Sequence, residues 1–357
     1  MKARLKVVDL FCGCGGASLG VKLAGHAVVA AVDVDPVACE TYSKNLGLEP
    51  LEGDLRVLDG RAVLDHFGLR RGDVDLVIGC PPCQGFSSLR RTTHPDGIDE
   101  RNDLVWVFLE LVEELRPKAF VFENVFGMKN GVGAGCLQLL RDEARKVGFA
   151  TNSDFLVDAV NYGVPQHRRR VIVVGVDGAK EEPVLPPRKR FDPRTEEEGR
   201  APWKTVRDTI ANLPPLEAGE AHPSIKNHVA HSHSPEVMKV IRAVPKDGGS
   251  RKDLPRELWL PCHARLGKGA ENVYGRMAWD APSNTITCRC TTPSSGRFLH
   301  PEQDRAITIR EAARLQTFED WFVFPDEFHS AERLVGNAVP PEFMAVLVDH
   351  MAEVISS

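Results

Sequence analysis

Short, nearly continuous apolar runs recur along the first half of the chain: LKVVDL (5–10), HAVVAAVDVD (26–35), VDLVIG (74–79) and KAFVFENV (118–125). Each has the length and branched composition of a β-strand. Between them lie segments with helical periodicity. GASLGVKLAG follows the first run, and DPVACETYSKNLG opens with the Asp-Pro pair of a helix start. DLVWVFLELVEEL (103–115) is strongly amphipathic and is closed by Arg116-Pro117, and CLQLLRDEARKVG ends at Gly148. FLVDAV and RRVIVVGV add two strands. Strands alternating with helices over residues 1–178 predict an α/β fold, a mostly parallel sheet with helices on both faces.

The rhythm breaks near residue 180. EEPVLPPRKRFDPRTEEEGR is rich in proline and charge and reads as a linker, and residues 200–300 carry only short irregular segments. TIREAARLQTF, from 308, reads as a helix, and PEFMAVLVDHMAEVI (341–355) as a strongly periodic last one. The expected organisation is a domain over 1–180, a smaller irregular one over 181–305, and a C-terminal piece, 306–357, returning to the first.

Composition narrows the functional classes. The net charge of −5 carries no chain-wide signature of a nucleic-acid binder, so a polyanion site has to come from local clustering. Residues 178–275 hold 17 Lys and Arg against 14 Asp and Glu, which makes that segment mildly basic in an otherwise acidic chain. No apolar run reaches membrane-spanning length, and MKARLKVVDL does not read as an export signal. Nine cysteines, several in apolar runs, then fit a reducing cytoplasm without disulfides.

Ligands of parallel α/β sheets sit beyond the carboxyl ends of the strands, and each unusual motif falls at such an end. DLFCGCGG places glycines 13, 15 and 16 between a strand and a helix, with Asp33 ending the next strand. That arrangement suits a nucleoside held at a ribose hydroxyl without the full dinucleotide fingerprint, or a purely structural turn. Asp54, in EGDLRVL, offers a second carboxylate. GCPPCQGFSS carries Cys80 and Cys83 in a C-x-x-C spacing, but two prolines between them remove the N–H donors that a zinc knuckle needs and stiffen the segment against dithiol exchange. The Pro-Pro segment instead presents Cys83 rigidly at a strand end, which suits a nucleophile. FVFENV delivers Glu123 to the same edge, as an acid whose pKa burial would raise or as an exposed strand terminus. In QHRRR, alternation sets Arg168 and Arg170 on one face, as an anion or oxygen-rich ring site or as a solvated basic edge. Cys288 and Cys290, in TITCRCTT, read as packing.

In order, DLFCGCGGASLG, VDVDP, GDL, GCPPCQGFSS, FENV, QHRRR, PSNTIT with REAARLQTF, and GNAVPP resemble the motifs of the DNA (cytosine-5) methyltransferases over nearly the whole chain apart from about 180–270. The resemblance implies an S-adenosylmethionine-dependent methyltransferase, without a metal, acting on a cytosine flipped out of duplex DNA. It implies Cys83 as the nucleophile at C6, Glu123 at N3 and the exocyclic amine, and Arg168 and Arg170 at the base. Phe11, Gly13, Cys14, Gly16, Asp33, Val34, Asp54, Leu55, Pro82, Asn337 and Ala338 would surround the cofactor. Gln84, Ser87, Arg90 and Arg91, on a loop closing over DNA, and Thr285 would touch the nucleic acid. The segment 181–305 falls where the family keeps its target-recognition domain. A monomer is expected, with a cognate restriction endonuclease as a separate partner. A tRNA methyltransferase of the same fold, a catalytically silent DNA-binding relative and a nicotinamide-dependent oxidoreductase are the alternatives. The first lacks its Cys-Phe-Thr tripeptide here, the second does not explain an intact Cys83, Glu123 and Arg168, and the third leaves the Pro-Pro-Cys unexplained.

Overall fold

A computed structural model describes residues 4–82, 103–130, 132–195, 200–259 and 272–356. The apolar runs become strands β1 (Lys6–Leu10), β2 (Ala27–Asp33), β3 (Leu51–Glu52), β4 (Leu76–Gly79) and β5 (Ala119–Val125), followed by β6 (Phe149–Thr151), β7 (Leu156–Asp158) and β8 (Arg169–Asp177). They form one sheet in the order β3-β2-β1-β4-β5-β8-β6, with β7 also on β8. β1 to β5 pair in parallel, and β8 runs against its neighbours. The chain winds outward from β1 to β3 and then restarts on the other side with β4. That reversal is a topological switch point, where the carboxyl ends of neighbouring strands diverge and leave a crevice.

The helices are α1 (Gly16–Leu23), α2 (Pro36–Leu46), α3 (Gly60–His66), α4 (Asp103–Leu115), α5 (Val132–Lys146), α6 (Val206–Ile210), α7 (Pro235–Ala243), α8 (Ile309–Leu315), α9 (Phe328–Asn337) and α10 (Pro341–Ser356). Helix α2 shows how local sequence sets an element: the Asp35 side chain caps Val37 and Ala38, Pro36 occupies the first turn, and Gly47 ends the helix at φ 71°. α4 buries Phe108, Leu111 and Val112 on one sheet face, where Phe108 packs against Phe120 and Phe122 at centroid distances of 5.6 and 5.3 Å. α10 packs on α1 at Gly20, where a Cβ would stand 2.6 Å from the Pro341 carbonyl oxygen.

By contacts the chain divides into two compact units. One comprises Met1–Tyr162, Arg169–Arg188 and Val339–Ser357; the other comprises Gly163–Arg168 and Lys189–Ala338. The division departs from the sequence boundaries at α8 and α9, which cluster with the second unit. Arg310 of α8 explains this. Its N–H donates to Asn227 O and its guanidinium to Lys226 O, Glu319 O and Phe322 O, so the helix is bound to the irregular segment before it.

Outside helices α6 to α9 the second unit has little regular structure among the described residues, and many of its main-chain carbonyls lie off any helix or sheet ladder. Buried arginines satisfy them instead, since a guanidinium offers five donors in a fixed fork. Arg276 donates to Ile241 O, Val244 O, His300 O and Gln303 O at 2.6–3.1 Å, and to Asp304 at 2.5 Å. Among the described residues no helix is long and apolar enough to cross a membrane.

Candidate functional site

The carboxyl edge of the sheet gathers the motif residues of the first unit. After β1 the chain turns at Phe11 (φ 60°), Gly13 (φ 54°) and Gly15 (φ 97°). The Gly13 N–H donates to Asp33 Oδ2 at 2.7 Å, and Asp35 N–H to Asp33 Oδ1 at 2.9 Å. Burial pushes the Asp33 carboxyl above its ordinary range. Nothing stands within 4 Å of where a Gly13 Cβ would lie. Val34, next to Asp33, presents an apolar side chain that is 62 % exposed. A glycine cradle, a carboxylate at a strand end and an uncovered apolar side chain fit an adenosyl group: hydroxyls for the acid, a flat ring for the valine.

Other members of the expected cofactor set take different positions. The Asp54 carboxylate is gripped by its neighbour Arg56, with Nε at 3.0 Å and Nη2 at 2.5 Å, and these bonds hold it below the usual carboxylate range. Leu55 lies in the core, so only its main chain can reach a ligand. Cys14 and Gly16 are buried, and Pro82 is exposed.

At β5 the apolar strand carries Glu123 into a buried setting, where Arg170 of β8 meets it with Nε at 2.8 Å from Oε1. Directly opposite Glu123 is Ile172, and Arg170 faces Val125. The ion pair is therefore diagonal across the antiparallel pair, a reach that long side chains on one face can make. The next residue, Asn124, donates from Nδ2 to Pro81 O at 3.4 Å, which ties the FENV strand end to the Pro-Pro segment after β4. Cys80 is half-buried. Cys83, Gln84, Ser87, Arg90 and Arg91 lie outside the described residues.

The second unit holds Arg168, Thr285, Asn337 and Ala338. The buried guanidinium of Arg168 donates to Ile286 O at 3.3 Å and to Ala338 O at 2.9 Å. Thr285 donates its hydroxyl to His167 O at 2.7 Å. Asn337, exposed at the end of α9, accepts from the Cys288 thiol at 2.8 Å. Cys290 is fully buried. Among the described residues no cluster of His, Cys, Asp and Glu has the makeup of a metal site.

One network behind the glycine turn was not singled out from the sequence. Asp9 is fully buried in β1, accepts from Ser18 Oγ at 2.6 Å, and Ser18 in turn accepts from Tyr42 Oη at 2.8 Å. Tyr42 fills the space that a Gly15 Cβ would need, at 2.9 Å. The available signal was an acid inside an otherwise apolar strand, VVDL.

The sheet, its switch point and this edge define a methyltransferase-type α/β protein, and a family model makes the class specific. The description C-5 cytosine-specific DNA methylase matches residues 5–353, and the chain belongs to that family. Similar proteins include Type II methyltransferases of bacteria. M1.HphI of Haemophilus parahaemolyticus is 35% identical over 94% of this chain and 84% of its own length, and M.AgeI of Thalassovita gelatinovora is 32% identical over 94% and 96%. Among solved structures, one described as a DNA modification methyltransferase encoded within an E. coli prophage superimposes with a TM-score of 0.75 at 25% identity, covering 99% of this chain and all of that one. The S. pombe Dnmt2 methyltransferase shares the fold, with a TM-score of 0.62.

Proposed function

We propose that this protein transfers the methyl group of S-adenosylmethionine to C5 of a cytosine flipped out of a specific duplex DNA site. The observation that carries the reading is the joined edge at β4 and β5: Glu123, paired with Arg170, stands on the strand whose Asn124 holds the segment leading to Cys83. Family membership supports it.

In this reading the Cys83 thiolate adds to C6 of cytosine, since C5 is a poor nucleophile until the ring's aromaticity is broken. Charge then develops at N3 and O2. Glu123 holds the proton at N3 and accepts from the exocyclic amine, and Arg170 fixes the carboxyl group that does so. Arg168 steadies the base near O2. When bound, S-adenosylmethionine supplies the methyl group that C5 takes. Loss of the C5 proton with departure of Cys83 restores the aromatic ring. The base has to leave the helix to reach such a site. For the donor, Gly13 and Asp33 would hold the ribose side and Val34 the adenine face. The second unit, mildly basic in sequence, takes the role of target recognition, with Thr285 and the residues after Cys83 on DNA. The relatives' names, Type II methyltransferases, support reading this protein as a Type II modification enzyme, and in the same proposal it works in the cytoplasm with a separate endonuclease as partner.

The test is incubation with radiolabelled S-adenosylmethionine and unmethylated duplex DNA. Label in 5-methylcytosine is expected, and label in tRNA alone would favour an RNA enzyme. Duplex containing 5-fluorocytosine should trap a covalent complex in the wild type and not in Cys83→Ser, because fluorine blocks the final elimination. Trapping by the serine variant would remove Cys83 from its role.

A further inference from the structure

We propose that Gln166 and Gln316 are positioning residues that set the place of the Arg168 guanidinium. The inference rests on the reading of Arg168 as a base-binding residue.

Both glutamines are fully buried. Gln166 Nε2 donates to Gln316 Oε1 at 2.9 Å and to Leu315 O at 3.2 Å. Gln166 Oε1 accepts from Ile286 N–H at 2.9 Å. Gln316 Nε2 donates to Val335 O at 2.7 Å and to Ala338 O at 3.2 Å. A buried primary amide has two donors and two acceptor lone pairs to satisfy, and here each donor finds an oxygen.

The acceptors of Arg168 are in the same set. Ile286 receives Arg168 at its carbonyl and Gln166 at its N–H, while Ala338 O takes both Arg168 and Gln316. Three separate chain segments, at 286, 315–316 and 335–338, are thereby fixed by one amide pair. The two carbonyls that orient Arg168 lie on the first and last of them. The segments are the ends of α8 and α9 and irregular backbone near 286; among the described residues the amide pair bonds to all three, and the Cys288 thiol bond to Asn337 adds a second link between two of them. Gln166 also sits two residues before Arg168, where the main chain is held by His167 N–H to Ser283 O and Ser283 N–H to Pro165 O, both at 2.9 Å. The Ser283 bonds thus hold the backbone from which Arg168 projects, and the amide pair holds the two residues whose carbonyls receive its side chain. A misplacement of a reacting group by about 1 Å costs on the order of 100-fold in rate, so the pair is expected to act on turnover through Arg168.

The experiment is a double-mutant cycle on the full-length enzyme, with tritiated S-adenosylmethionine and unmethylated genomic DNA. Gln316→Met is expected to lower kcat by about 10- to 100-fold. Arg168→Ala and the double variant Arg168→Ala with Gln316→Met are expected to show the same kcat, because residues acting as one unit are not additive. Thermal melting of all four proteins separates this from general loosening: a merely structural Gln316 lowers the rate by the same factor with or without Arg168. Multiplying effects, or an unchanged kcat in Gln316→Met, would overturn the proposal. If Gln316→Met does not melt cooperatively, Gln166→Met takes its place in the same cycle and is judged by the same outcomes. A wild-type enzyme that methylates no DNA refutes the functional reading itself, whereas an active wild type with additive variants refutes only the positioning role.

Discussion

Arg170 Nε stands 2.8 Å from Glu123 Oε1 across a diagonal of β5 and β8, and both side chains are close to fully buried. Sequence spacing alone sets these residues 47 positions apart. The antiparallel turn-back of β8 makes them partners. Removing one side of a buried ion pair leaves the other charge uncompensated, at a cost of about 3–5 kcal/mol. Arg170→Ala is therefore expected to lower thermal stability as well as activity. Glu123→Gln leaves the Arg170 charge uncompensated and should likewise lower thermal stability, and in protein that is still folded it should lose about 10²–10⁴-fold in methyl transfer. Near-normal rates in Glu123→Gln would remove the acid from the proposed chemistry.

Gly13 combines a left-handed backbone with open space at its missing Cβ. A branched side chain there pays roughly 1–2 kcal/mol for its backbone and projects into the cradle. Gly13→Val should weaken binding of S-adenosylhomocysteine at least 10-fold by calorimetry, about the 1.4 kcal/mol that a factor of 10 represents. Unchanged affinity would place the ligand elsewhere.

Asp9 makes stability depend on pH. Burial, aided by the charge of Asp33 and opposed by the Ser18 bond, raises its carboxyl from 3.8 to about 7. The folded chain thus keeps this proton up to about pH 7, while the unfolded chain releases it near its ordinary value. The contribution is fully present below pH 4 and is lost as pH rises through 7. Relative to Asp9→Asn, the wild type should lose stability between pH 4 and 8, in total on the order of 4 kcal/mol. Denaturant unfolding at several pH values measures this, and parallel curves for the two proteins would refute it.

Glu311 behaves in the opposite sense. Burial disfavours its charge, but Arg305, bonded through both Nη atoms at 2.8 Å, together with His300 and the Thr308 N–H, holds it down at about 2. Its contribution is present above its ordinary pKa and disappears as pH falls towards 2. Glu311→Gln should cost about 3–5 kcal/mol at neutral pH and flatten acid unfolding of the wild type. A variant as stable as the wild type would show that the pair is replaceable.

The strands and helices of the first unit were legible in the chain because strand burial and helix amphipathicity are written in local periodicity. The DLVWVFLELVEEL pattern corresponds to α4 residue for residue, and the Asp-Pro and Gly47 signals bound α2. The motif residues at the strand ends were legible for the same reason, since a parallel sheet sends all its carboxyl ends to one edge. Tertiary structure decided what periodicity cannot encode: the diagonal Glu123–Arg170 pair, the Asn124–Pro81 link, the grouping of α8 and α9 with the second unit, and the amide pair beneath Arg168. Each rests on polar contacts between residues far apart in the chain, 43 positions for Asn124 and Pro81, 47 for Glu123 and Arg170, 84 for Arg310 and Lys226 and 150 for Gln166 and Gln316. Such contacts depend on the register of two strands or the packing of irregular backbone, and neither leaves a repeating trace in the sequence.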